Sequence, residues 1–159
     1  MGRLTKPEAF EAGDIVRSTA SATYNRPLAA GFWATSFVWG RNHKTETKQN
    51  TSSFLAESLL QLLGKNYLTG RVEVVDKDEL FAHAGDHELS EPLAGSVFRI
   101  GAYRLGYTRG VKLISGLQTG IGGNFTLYTL PSELKAFYSE HPASFLFYFR
   151  IRPETNVAP

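Results

Sequence analysis

One acidic loop contains the side chains of this sequence that most resemble a set of metal ligands. His83, Asp86 and His87 lie close together, and the two histidines are four positions apart. Imidazole and carboxylate groups are common ligands of Zn²⁺ and Cu²⁺. A helix would bring both imidazoles to one face, but Gly85 disfavours a helix there. We therefore retain His83, Asp86 and His87 as a candidate metal site, with a solvated loop as the favoured interpretation, and predict no resident cofactor.

Two carboxylates, Glu57 and Glu73, fall on the same side of neighbouring predicted strands. A carboxylate pair can perform acid–base catalysis. Arg71 falls on that side as well, and a nearby cation keeps carboxylates ionised, so a row of structural charges is the favoured interpretation. The motif G-x-S-x-G is missing, the glycine-rich stretch 116–123 has no following Lys-Ser/Thr, and no histidine falls within a predicted strand. The sequence therefore indicates a protein without catalysis.

Length and composition limit the class of protein. The chain has 159 residues, no cysteine, and 17 Lys+Arg against 15 Asp+Glu, which gives a net charge of +2. This length suits one domain, and a hydrophobic content of 42% excludes a disordered chain. The lack of thiols excludes a disulfide scaffold, and the near-zero charge does not indicate a nucleic-acid partner. No apolar run reaches the roughly 18 residues that a membrane-spanning helix needs.

Alternation of apolar and polar residues is the dominant pattern, and it predicts an all-β protein. In 67–77, for example, Leu68, Val72 and Val74 face one way, and polar side chains face the other. The predicted strands are 15–26, 32–42, 53–64, 67–77, 96–108, 113–128 and 143–152, followed by a tail at 153–159. The segment 53–63 also fits a short amphipathic helix, but its alternation and the turn that follows favour a hairpin.

Two shorter segments complete this prediction. Gly-Arg-Leu at 2–4 is interpreted as the end of an eighth strand. The stretch SELKAFY at 132–138 is predicted as a helical turn within a loop.

The connections predict how the strands are arranged. Short connections at 27–31, 64–66 and 109–112 alternate with long ones at 43–52, 78–95 and 129–142. Outer-membrane β-barrels place tight turns on the periplasmic side and long loops outside. Strands of about 9–11 residues are long enough to cross that membrane. We therefore expect an antiparallel up-and-down meander of seven to eight strands, in which residues 1–152 form part of a transmembrane β-barrel.

In such a barrel the apolar side chains face lipid and the polar ones face the lumen. The predicted lumen-facing charges are Arg17, Glu57, Arg71, Glu73, Lys77, Arg104, Arg150 and Arg152. Their excess of cations predicts that an open pore would mildly favour anions. Four aromatic residues near the short-turn end are predicted to form a belt at the membrane–water interface: Tyr24, Trp33, Tyr67 and Tyr107.

The chain also resembles a known family over about 15–152. The segments YNRPLAAGFWAT, WGRN, GRVEVVDKDELF, VFRIGAYRLGY and SFLFYFRIRP are similar to the C-terminal part of a family of Gram-negative outer-membrane β-barrel proteins of uncharacterised function. Longer members carry a signal sequence and a Met/His-rich N-terminal region, and some are associated with metal-resistance genes. The resemblance implies an outer-membrane location, with the lipid bilayer and the barrel-assembly machinery as partners. It implies no catalytic residues.

The chain departs from that family in ways that lead to a further expectation. It has neither the N-terminal half nor an export signal, it ends in PETNVAP, and seven strands are an odd number where bacterial barrels have an even one. We expect a barrel fragment that lacks its N-terminal half, from a partial gene or an internal start. The expected function is a passive pore, transport or scaffold role. The alternative is a soluble β-barrel that binds a small apolar ligand.

Overall fold

The computed structural model of the chain describes residues 2–4, 14–78, 80, 96–113 and 116–153. They form one antiparallel sheet in which each strand pairs with the next along the chain, so the predicted all-β meander is confirmed. The strands are β1 (Gly2–Leu4), β2 (Ile15–Leu28), β3 (Gly31–Lys44), β4 (Asn50–Leu62), β5 (Asn66–Lys77), β6 (Phe98–Val111), β7 (Leu117–Thr129) and β8 (Ala143–Pro153). Within the described ranges the sheet does not close, because β8 does not pair with β1 or β2.

Short and long connections alternate much as the sequence predicts. Those at 29–30, 63–65 and 112–116 lie at one end of the sheet, which we call the short-turn end. The connection at 45–49 is shorter than the predicted loop at 43–52, because β3 and β4 continue past the apolar part of the hairpin. His43 Nδ1 lies 3.0 Å from Asn50 Oδ1, and Lys44 N donates to Gln49 O at 2.9 Å.

Two other predicted boundaries shift. The strand expected to begin at residue 113 begins at Leu117, directly after Gly116, which has a φ of 78°. A left-handed residue of this kind favours glycine and marks a turn. On the other side of the same connection, β6 runs on to Val111 instead of ending near 108.

The pairing register divides the side chains of β2 to β8 between two faces, because directly opposed residues in antiparallel strands point to the same side. The polar face includes the row formed by Glu57, Arg71, Arg104 and Thr126. The apolar face includes the adjacent row of Ser58, Gly70, Leu105, Phe125 and Phe145. The alternation read from the sequence assigned these residues to the same two faces.

Almost no conventional core is present in the described part of the chain. Its buried apolar side chains are Ile15, Phe98 and Leu134, and Leu134 belongs to the helix α1 (Ser132–Tyr138). This helix confirms the predicted helical turn. Of the residues described, no helix has the length and apolar character needed to cross a membrane.

Candidate functional site on the polar face

All eight predicted lumen charges lie on the polar face. The pairing register assigns each of these side chains to that face: Arg17, Glu57, Arg71, Glu73, Lys77, Arg104, Arg150 and Arg152. The polar face is the more enclosed side of β6 and β7. Thr108 and Thr126 on it are 4% exposed, whereas Leu105 on the apolar face is 72% exposed.

Arg71 holds both carboxylates of the polar face. Its Nη2 lies 2.8 Å from Glu73 Oε2, and its Nη1 lies 3.5 Å from Glu57 Oε2. All three side chains are partly exposed, so each ion pair contributes at most about 1 kcal/mol. The arrangement matches the predicted row of structural charges, because both carboxylates accept hydrogen bonds from one guanidinium.

Arg104 lies directly opposite Arg71 in the register. Like charges in this position repel each other. Arg104 Nε donates to Thr126 Oγ1 at 3.2 Å, and no carboxylate of the described residues lies within 4.0 Å of its guanidinium. Because Glu57 and Glu73 already pair with Arg71, Arg104 brings an uncompensated positive charge to the middle of the polar face.

A cavity of about 460 Å³ runs along this part of the polar face. Polar side chains from six strands line it: Ser36, Glu57, Arg71, Arg104, Asn124 and Tyr148. Asn124 and Tyr148 were not predicted as site residues. Tyr148 lies across Gly122, where an added Cβ would come within 2.6 Å of its ring, and its hydroxyl hydrogen-bonds Thr108. The cavity can hold water or a small polar solute beside two guanidinium groups.

The predicted aromatic belt is divided between the two faces. Tyr24, Trp33 and Tyr107 lie on the apolar face, and the rings of Tyr24 and Trp33 meet edge to face with centroids 5.5 Å apart. Tyr67 lies on the polar face, opposite Gln61 and Thr108, so its assignment to the belt is corrected. Successive side chains of β5 point to opposite faces, so Tyr67 shares the face of Arg71 and not that of Leu68, even though it is an aromatic residue.

The apolar face ends in polar residues near the long loops. Arg99 Nε lies 2.8 Å from Asp76 Oδ1, and Ser52 N donates to Asp76 Oδ2 at 2.9 Å. Ser18 and Arg41 continue this line across β2 and β3. The structure thus makes Arg99 part of a polar boundary of the apolar face.

The candidate metal site, His83, Asp86 and His87, lies outside the described residues. Within the described ranges, no group of three or more His, Asp or Glu side chains is arranged to hold a metal ion.

No family model, curated protein or solved structure matches the chain. The fold and the two faces of the sheet are therefore the structural basis for proposing its function.

Proposed function

We propose that this chain forms part of an outer-membrane β-barrel with a passive pore, transport or scaffold role and no catalysis. The apolar face contacts lipid, and the polar face lines a lumen. Further strands pair with the open edges of the sheet and complete the barrel; these edges are β8 on one side, and β1 with the rest of β2 on the other. The lipid bilayer and the barrel-assembly machinery are its partners.

A single observation carries this proposal: apolar side chains cover the middle of one face of the sheet and remain exposed. Phe147 is 83% exposed, Phe145 71% and Leu105 72%, while the eight predicted lumen charges lie on the opposite face. In water an apolar surface of this extent is a strong liability for aggregation. In a bilayer it is the surface that a membrane-spanning sheet needs, with backbone groups paired between strands.

The alternative is a soluble barrel with the apolar face turned inward around a small ligand. An open groove of about 950 Å³ on that face favours this alternative, and Leu60, Leu105, Phe125 and Phe147 are among its lining residues. In this alternative the groove would be the ligand site. The two candidates differ in the environment that they require, because only the first needs detergent or lipid.

A gel experiment tests the first candidate. The full-length protein, in which further strands complete the barrel, is expected to migrate differently on a denaturing gel with and without prior heating, because closed transmembrane barrels resist detergent until heated. Migration that is unaffected by heating, together with high solubility in buffer without detergent, would favour the soluble alternative.

The charges of the polar face lead to a prediction about ion selectivity. The set contains six cations and two anions, and both anions are paired with Arg71. If the face lines an open pore, that pore is expected to pass anions mildly in preference to cations, because the remaining cations are uncompensated. Reversal potentials across a planar bilayer under a salt gradient measure this preference. Cation selectivity would contradict the assignment of the polar face to the lumen.

A further inference from the structure

The short-turn end of the polar face contains a second cavity, of about 610 Å³, whose lining is strongly basic. Three cationic side chains border it together with two amides and a phenol: Lys65, Lys112, Arg150, Gln61, Gln118 and Tyr67. Arg109 lines it as well, although the register places its side chain on the apolar face. No carboxylate of the described residues borders this cavity.

Arg150 is held in a defined position. Its guanidinium carbon lies 5.2 Å from the centre of the Tyr67 ring, an arrangement that stabilises a cation over an aromatic face. Gly120 lies opposite Arg150 in the register. A Cβ at Gly120 would lie 3.3 Å from Arg109 O, a tight contact, and 3.8 Å from Arg150 Nε, an ordinary van der Waals contact.

Tyr67 and the adjacent turn are held in place as well. Gln61 Nε2 donates both to the Tyr67 hydroxyl at 3.0 Å and to Gly64 O at 2.9 Å. The Tyr67 hydroxyl accepts that bond and keeps its own proton free to donate. Gly110 N donates to Lys65 O at 2.7 Å, which fixes the turn that carries Lys65 against the end of β6.

We propose that this basic cavity binds the phosphate group of a water-soluble solute. A guanidinium presents paired N–H donors that fit a phosphate, and the two lysines add charge. Three cations around one cavity repel each other, and a bound anion offsets that repulsion. The cavity opens on the polar face, opposite the apolar surface, which favours a dissolved phosphate over a lipid headgroup as its source.

Titration calorimetry with inorganic phosphate tests this site on the full chain in zwitterionic detergent at low salt. Arg150→Gln is expected to weaken phosphate binding about tenfold, because it removes a charge-assisted contact. Tyr67→Phe keeps the ring under Arg150 but removes the hydroxyl, and should weaken binding about threefold. Arg17→Gln is the matched control, because Arg17 lies on the polar face near the long loops, bonded to Asn42 at 2.8 Å. It should leave the affinity unchanged.

Three results would overturn the proposal: no saturable phosphate binding, an equal loss of affinity in Arg17→Gln, or binding of short-chain phosphatidylglycerol without binding of inorganic phosphate. Circular dichroism shows whether each variant keeps its strands. If Arg150→Gln unfolds, Lys112→Gln replaces it, because Lys112 is an exposed side chain in a turn. The phosphate assay needs no bilayer, so its failure is distinct from failure of the gel and selectivity tests.

Discussion

Leu105→Arg is expected to lower the free energy of unfolding in lipid vesicles by about 2–4 kcal/mol, the cost of a cation on the lipid face near the bilayer midplane. Leu105 lies in the middle of β6, between Gly70 and Phe125 in the register, and is 72% exposed. In water, a substitution at so exposed a position changes stability by only about 0.5 kcal/mol. The large effect therefore depends on contact with lipid. Denaturant titration in phosphatidylcholine vesicles, followed by tryptophan fluorescence, measures it.

The same substitution on the other face is the matched control. Leu146 is 57% exposed and lies opposite Asn124 on the polar face. Because a lumen-facing cation remains in water, Leu146→Arg is expected to change the free energy of unfolding by only about 0.5 kcal/mol. Equal effects at Leu105 and Leu146, or no effect at Leu105 in vesicles, would contradict the assignment of the apolar face to lipid.

The sequence could predict which side chains share a face of the sheet, because this depends only on whether a residue has an odd or even position along its strand. In a strand, successive side chains point to opposite sides, so one anchor residue assigns a whole strand. Strand β8 is an example, since Phe145, Phe147, Phe149 and Ile151 all lie on the predicted side, with Phe125 opposite Phe145. Tyr67 was misassigned where residue type was given more weight than parity.

Strand ends were less predictable, because hydrogen bonds between polar side chains extend strands beyond the apolar pattern. The sequence pattern predicts a loop at His43 and Lys44, yet both residues belong to β3. Lys44 Nζ also lies 3.1 Å from Asp78 Oδ2, a contact between residues far apart in the sequence. Alternation carries no information about such polar pairs.

The site itself was predictable only in its charges. Which residues meet across strands depends on the register, and the register depends on turns whose lengths were known only approximately. The hydrogen bond from Arg104 to Thr126 and the contact of Arg150 with Tyr67 each join residues from different strands. Gly120 and Gly122 also have neighbours that alternation does not identify, namely Arg150 and Tyr148.

One glycine at the short-turn end permits a closer backbone approach than any side chain allows. Gly31 begins β3, opposite both Leu28 and Leu62. A Cβ at this position would lie 2.0 Å from the carbonyl oxygen of Gln61 and 2.7 Å from its carbonyl carbon. Since these are backbone atoms, no rotamer change relieves the overlap, and β3 and β4 would have to separate where the hairpins begin.

Gly31→Ala is therefore expected to lower the free energy of unfolding by about 1–3 kcal/mol, the usual cost of forcing an added carbon into a packed site. Gly70→Ala is the matched control, because the nearest atom to a Cβ there is Leu105 Cδ2 at 4.0 Å. That variant should keep the wild-type value or gain up to about 1 kcal/mol, since alanine is less flexible than glycine when unfolded. Denaturant titration of both variants in detergent and in vesicles measures the difference. A loss at Gly31 in both environments would place the cause in the sheet itself, whereas equal behaviour of the two variants would contradict the close approach of β3 and β4.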